Sequence, residues 1–380
     1  MVRTRKDDAC PGALSLHEAA DGALARIRLP GGMLTAAQLH TLAVTARDHG
    51  TGTLELTVRG NIQIRGITGV SGATAVADAV AGAGLLPSAS HERVRNIVAS
   101  PLSGRVGGRG GCRGGCRGDV RDLVTQLDAA LQADPDLADL PGRFWFGLDD
   151  GRGDISALAT DLGLRLTDEG AGLQIAGRDT GVLVPPGDAV AALLDAARRF
   201  VAVRGTCWRV TELADPAALL DRARLGPVPA AAQPPPVGWF DQDDGRVALG
   251  AAVPLGVLPA RTAEFLAAID APIAITPWRT VLVFDLDDAV ADTALRVLAP
   301  LGLVFDAHSP WLSVSACTGS PGCAKSLSDV RADAAAAVEA GEPGMGRRHY
   351  VGCDRACGSP SDGQVLIATP EGYRTRNSHP

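Results

Sequence analysis

Two stretches of this chain read as versions of one another, and a repeat of that kind restricts the fold to something built twice around an approximate two-fold axis. The first is GGMLTAAQLHTLAVTARDHGTGTLELTVRGNIQIRGI, residues 31 to 67, and the second is PLGVLPARTAEFLAAIDAPIAITPWRTVLVFDL, residues 254 to 286. Each predicts a helix with apolar residues at helical spacing, a turn, and then an alternating strand. In the first copy Leu39, Leu42, Ala43 and Ala46 share one helical face. Read as one strand, the continuation puts Leu54, Leu56, Val58, Ile62 and Ile64 on one side of the pleat. Glu55, Thr57, Arg59, Asn61, Gln63 and Arg65 fall on the other. That polar side is either a solvated face or a row of donors able to clamp a polyanion, and the strand alone leaves both readings open.

Each copy leads into alternating helical and strand-like segments. After the first come VRDLVTQLDAALQA, RFWFGLD, GLQIAG, GVLVP and DAVAALLDAARRFVAVR; after the second come ADTALRVLAPLG, LSVSAC, SLSDVRADAAAAVEAG and RRHYVGC. Between the two parts lies LGPVPAAAQPPPVG, residues 225 to 238, too rich in proline for a helix or a central strand. A chain of 380 residues has room for two or three domains with proper cores, here in two related halves.

Charge and hydropathy exclude some classes of function. With 36 basic and 43 acidic residues the net charge is −7, so there is no global electrostatic case for nucleic acid or an anionic membrane. No apolar run approaches the length of a spanning helix. The opening MVRTRKDDACPG has basic residues with no apolar stretch behind them, so a secretory signal is not expected and the cytoplasm is. Reduced thiols in that compartment make clustered cysteines metal ligands or redox groups rather than disulfides.

Four of the eight cysteines cluster: Cys317 and Cys323 in CTGSPGC, Cys353 and Cys357 in CDRAC. Structural zinc favours shorter gaps than the first pair has, and a dithiol redox pair normally has two intervening residues, which neither pair has. Iron–sulfur clusters also take four thiolates, with more varied spacing, and Gly319, Gly322, Gly352 and Gly358 would let backbone N–H groups approach the sulfides. A further pair, Cys112 and Cys116, lies in GRVGGRGGCRGGCRGD, which reads as a flexible loop or a labile thiol site. Cys10 and Cys207 read as a tail thiol and a core residue.

The C-x5-C…C-x3-C arrangement near the end of a twice-repeated chain resembles the nitrite/sulfite reductase superfamily. RIRLPGGMLTAAQ (26 to 38) and TVRGNIQIRGI (57 to 67) look like its ferredoxin-like half-domain, and RNIVASPL (95 to 102) resembles a tetrapyrrole-contacting segment. The resemblance implies an α+β fold of two pseudo-symmetric halves. Its parts would be a ferredoxin-like half-domain at 12–85, an α/β module at 86–224, a linker at 225–238, a second half-domain at 239–290 and a second module at 291–380. It implies a [4Fe–4S] cluster on Cys317, Cys323, Cys353 and Cys357. Arg59, Arg95 and Arg143 would face a tetrapyrrole, with Arg279 a weaker candidate.

In LPGRFWF, residues 140 to 146, sulfite-reducing members carry two lysines that bind the oxyanion; here Arg143 and Trp145 take their places. An indole offers no charge to sulfite or nitrite. That departure, the short chain and TPWR (276 to 279) resemble the precorrin-3B synthase branch. The resemblance implies a monooxygenase of aerobic cobalamin biosynthesis that hydroxylates precorrin-3A at C20 with dioxygen and closes a γ-lactone, fed by an unidentified electron donor. It also implies a mononuclear non-haem iron near the substrate. The sequence does not identify its ligands, and His91, His308 and His349 are as readily structural. Two alternatives stay open: a sirohaem-dependent nitrite or sulfite reductase, and a non-catalytic tetrapyrrole or iron–sulfur sensor.

Overall fold

The structure, a computed structural model, describes residues 10–107, 118–227, 233–341, 346–360 and 363–377. Cys112 and Cys116 lie outside the described residues, as does part of the proline-rich segment. No helix among the described residues is long and apolar enough to cross a membrane.

The repeat produces two antiparallel five-stranded sheets with the same strand order. One runs His17–Ala19, Gly22–Ile27, Ile62–Ile67, Thr53–Leu56, Val257–Pro259; the other runs Gly238–Asp241, Val247–Ala252, Thr280–Leu286, Ile273–Ile275, Met33–Leu34. The last strand of each sheet comes from the other copy. Leu258 pairs with Leu54, and Leu34 pairs with Ile273. This exchange makes one shared core, in which Leu39, Leu42, Leu54, Ile62 and Ile64 meet Leu258, Leu266, Ile273 and Val283. The helix Ala36–His49 begins at a capping box, with Thr35 Oγ1 accepting from the Gln38 N–H and the Gln38 side chain accepting from the Thr35 N–H. The face read from its sequence is fully buried.

Gly32 sits where the copies cross, at φ 73°, and a Cβ there would overlap the carbonyl oxygen of Ile275. Gly32→Ala combines a left-handed backbone with a backbone clash, so we expect a loss on the order of 3 kcal/mol or more. Denaturant unfolding measures it, and a loss under about 1 kcal/mol would show that the crossing tolerates a side chain.

The single alternating strand expected in each copy is in fact a hairpin. Thr57–Asn61 and Thr276–Thr280 are turns of the same geometry. Thr57 N–H donates to Asn61 O at 2.9 Å and Thr276 N–H to Thr280 O at 3.0 Å, and the N–H groups of Gly60 and Arg279 return to Thr57 O and Thr276 O. The threonine hydroxyls accept from Arg59 N–H and Trp278 N–H at 3.3 Å each. Gly60 and Arg279 share left-handed φ values of 65° and 59°. The turns interrupt the pleat without shifting its parity, which is why the sequence reads as one strand. Trp278 therefore occupies the place of Arg59, and Arg279 that of Gly60.

Each half is completed by a smaller sheet. Ile97–Ala99, Phe146–Asp149 and Leu162–Thr167 are parallel, followed by antiparallel Gly170–Ile175 and Arg178–Val184. Val314–Ala316, Arg348–Val351 and Gln364–Thr369 are likewise parallel, followed by antiparallel Gly372–Asn377. Helices Arg121–Ala133 and Ala189–Val203 pack Leu127, Leu131, Leu193 and Phe200 against the first of these sheets. The architecture is α+β in two related halves.

Candidate active site and metal centre

In open sheets with parallel strands, ligands are held beyond the carboxyl ends of the strands. Cys317 directly follows Val314–Ala316 and Cys353 follows Arg348–Val351 by one residue, so two short loops bring all four thiols to one edge. They share one electrostatic neighbourhood. Burial pushes the Cys357 thiol up, and Cys317, Cys353 and Cys323 push it further in the same direction. No three of these sulfurs lie within 4.8 Å of one another. Gly352 donates its N–H to Cys317 Sγ at 3.4 Å. A Cβ on Gly352 would collide with Ser326 of the opposite loop, so the glycine lets the loops close. His349 is fully buried and spans from Ser315 Oγ, 2.8 Å from Nδ1, to the carbonyl of Cys357, 2.9 Å from Nε2. These residues fit a four-thiolate iron–sulfur cluster.

The matching edge of the first module carries Ser100 after Ile97–Ala99, and Asp149, Asp150 and Asp154 at the end of Phe146–Asp149 and beyond. The three carboxylates lie within 4.8 Å of one another, but each is engaged. Asp149 accepts from the N–H groups of Gly151, Gly153, Ile155 and Ser156, Asp150 pairs with Arg152, and Asp154 accepts from Ser100 Oγ at 2.6 Å. No histidine joins them. His91 is tied to Ser90 and Asp134 O, His349 is held as above, and His308 is exposed. The described residues thus do not present a histidine–carboxylate donor set for a mononuclear iron.

Burial pushes the Asp154 carboxyl up to about 7, and Asp149 adds to the shift against the Ser100 hydrogen bond and Arg152. The folded protein therefore holds a proton there that the unfolded chain releases near pH 4. This contribution to stability is complete at acid pH and is lost as pH rises from about 4 to 7, by at most about 4 kcal/mol. The melting temperature of Asp154→Asn relative to wild type should therefore climb between pH 5 and pH 8. A constant difference would show that Asp154 is ionised throughout.

The candidate binding pocket is assigned to the region where the two equivalent turns approach the strand leading into Phe146–Asp149. Phe144 and Phe146 point into the module core against Phe200, so Trp145 points the other way. It is 6% exposed and packs with Val98 and Ile155, and Trp278 of the second turn rests on that cluster. Arg59 of the first turn stands over the indole, 5.3 Å from its centroid, and Arg209 stands 5.6 Å away. Arg143 lies over Trp208 at 4.9 Å, and its carbonyl accepts from Arg59 Nη2 at 3.2 Å. Arg59 Nε and Trp145 Nε1 are enclosed without a hydrogen-bond partner among the described residues. Desolvation, followed by the charge of Arg209, lowers the Arg59 pKa to about 10.

Of the residues singled out from the sequence, Arg59, Arg143 and Trp145 thus come together. Arg95 is turned aside: Asp128 holds its Nε and Nη2 at 2.7 Å each, leaving Nη1 unbonded. Arg279 sits toward the cysteine loops, where burial and Arg331 lower its pKa against the attraction of Glu55, and its charge is felt at His349.

The polar side of the first hairpin is neither solvated nor wholly turned to the pocket. Arg26 Nε donates to Gln63, Gln63 to Glu55, and Glu55 accepts from Arg331 at 2.7 Å. Arg65 pairs with Asp21 and donates to the carbonyl of Gly322, between two of the cysteines. Asn61 donates to Asn96, whose amide donates to the carbonyls of Gly142 and Phe144 and fixes the pocket strand. Cys10 is no loose tail thiol: it is buried, with Arg26 Nη1 3.2 Å from its sulfur. Cys207 is half-buried in a loop rather than a core residue. Sequence reasoning missed Arg209, Trp208 and Asp161. WR in CWRV, two residue types that line pockets, was the available signal.

Comparisons with known proteins bear on the fold and the family resemblance. Residues 17–71 match the nitrite/sulfite reductase ferredoxin-like half domain. A precorrin-3B synthase from a Sinorhizobium species is 26% identical over 394 residues, covering 98% of this chain and 83% of that protein. A ferredoxin–nitrite reductase from Synechococcus elongatus is 24% identical over 389 residues, covering 89% of this chain and 74% of that one. The solved structure of the Mycobacterium tuberculosis NirA protein shares the fold, with a TM-score of 0.74 over 93% of this chain and 73% of its own, at 19% identity. Two exchanged half-domains, four thiols on paired loops and likeness along nearly the whole chain lead to one conclusion: this protein is similar to the nitrite/sulfite reductase superfamily, and in particular to its precorrin-3B synthase branch.

Proposed function

We propose that this protein is a monooxygenase of the precorrin-3B synthase type, acting in the cytoplasm. It binds precorrin-3A, places a hydroxyl at C20 with dioxygen, and forms a γ-lactone from the ring-A acetate. One oxygen atom enters the macrocycle; the other leaves as water, with two electrons from an external donor and two protons. The observation that carries the reading is Trp145, enclosed where an oxyanion reductase would need positive charge aimed at its anion. The chain's two lysines, Lys6 and Lys325, stand elsewhere in the sequence.

Arg59 has no carboxylate within ion-pair distance among the described residues. A desolvated guanidinium of that kind calls for an anion, and the acetate and propionate groups of the macrocycle supply several. In this reading Arg59 and Arg143 orient the substrate through its carboxylates, and the Trp145 indole gives its ring a flat apolar wall that excludes water. Arg95 contributes only its remaining Nη1, and Arg279 acts from the side of the cysteines. A [4Fe–4S] cluster on Cys317, Cys323, Cys353 and Cys357, when bound, supplies single-electron relay.

Incubation with precorrin-3A, a reductant and ¹⁸O₂ tests the proposal. A product one labelled oxygen heavier, absent under nitrogen, is expected, with a broad brown absorption from the protein. Intense Soret and red bands together with reduction of nitrite or sulfite would instead establish the sirohaem reductase. Tetrapyrrole binding with neither activity would leave the sensor.

A further inference from the structure

Asp161 is completely buried at the entry to Leu162–Thr167. Its oxygens accept from the N–H of Trp145 at 3.1 Å, from the N–H of Val210 at 2.7 Å, and from Arg209 Nε at 2.8 and 2.7 Å. Arg209 is held further by the carbonyl of Ala159 at 3.0 Å. Two guanidiniums, those of Arg59 and Arg209, thus flank one indole, and Asp161 is bonded to only one of them. We propose that Arg209 is a positioning residue: by occupying Asp161 it keeps that carboxylate from capturing Arg59, so that Arg59 stays open to a carboxylate of the bound ligand.

The physical argument is one of competition. A fully buried carboxylate left with two backbone N–H donors is strongly under-compensated, and it recruits a mobile cation within reach of its field. Arg59 is that cation. Its other bond is a single donation to the Arg143 carbonyl, its side chain is long, and it already feels the attraction of Asp161 alongside the repulsion of Arg209. Arg209 settles the competition with a two-oxygen contact that a single flexible ligand group cannot easily displace. The pocket then keeps one guanidinium in excess, which selects an anionic ligand.

This inference rests on the reading that the pocket takes a polycarboxylate tetrapyrrole, and the experiment separates the two. Sirohydrochlorin, a tetrapyrrole octacarboxylate, is titrated against the full-length protein as isolated, following quenching of tryptophan fluorescence. Arg59→Ala should weaken binding by about tenfold or more, and Arg209→Gln should weaken it comparably. The double variant Arg209→Gln/Asp161→Asn should return to within about threefold of wild type, because no carboxylate remains to claim Arg59. A purely structural role predicts the reverse, since the second substitution also loosens Trp145 and Val210. A double variant as weak as Arg209→Gln, or an Arg209→Gln that binds like wild type, overturns the proposal. Where the glutamine variant does not fold, Arg209→Lys retains the charge and should bind nearly as wild type. A loss equal to that of Arg59→Ala would mean that Arg209 touches the ligand itself, which also overturns it. If wild type ignores the tetrapyrrole, or binds it regardless of Arg59, the pocket reading falls and takes this inference with it.

Discussion

Cys323→Ser is expected to leave the purified protein with little or no iron and acid-labile sulfide, and without its brown colour. Serine is one atom away from cysteine, but its hydroxyl is a hard, weakly acidic donor in a site whose other three groups are thiols. Its loop, closed against the Gly352 loop, brings no substitute thiol among the described residues. Stability should fall as well as colour. Among the described residues the cysteine module has two small apolar clusters, one around Ala316, Val330 and Tyr350, the other around Val351, Val365 and Ile367. A bound cluster would therefore carry much of that module's folding free energy. The first module has an extensive core of its own and should survive the change. Iron and sulfide assays with thermal unfolding check both parts. Full retention of iron and sulfide sinks the assignment, and stoichiometric zinc in wild type would restore the zinc reading.

The second large effect is expected at Trp145. Trp145→Lys places an ammonium in an enclosed site already flanked by Arg59 and Arg209, where one carboxylate, Asp161, is fully engaged. Burying that charge unpaired beside two others costs several kcal/mol. The lysine either deprotonates or forces the wall apart. Hydroxylation should be lost, or oxygen consumption uncoupled from product, with no gain of nitrite or sulfite reduction. Trp145→Phe keeps the apolar surface and should retain part of the turnover. Steady-state assays with precorrin-3A and with each anion read this directly. An ammonium that creates or improves anion reduction would make the pocket that of a reductase whose anion site has decayed.

The repeat, its helices and the four clustered thiols were legible because their signals are local. Helical spacing at Leu39, Leu42, Ala43 and Ala46 depends only on neighbours in the chain, and so does the crowding of four cysteines into two short segments. The hairpins escaped because a turn from Thr57 to Asn61 preserves the alternation on either side. The strand exchange escaped because Met33–Leu34 and Val257–Pro259 are too short to carry a period of their own; pairing with the other copy defines them. The same limit applied to charge. Nothing near Arg95 in sequence announces Asp128, and nothing near Trp145 announces Arg209. Ion pairs form wherever the fold brings opposite charges together, and buried ones must form or the charge is lost. Sequence alone thus determined a twice-built α+β protein with four thiols crowded into two short segments near its end. Tertiary structure decided which polar side chains were consumed in holding it together and which were left facing the pocket. Two turns with the same backbone deliver Arg59 and Trp278 to one indole, and only the packing of the two copies against each other brings them there.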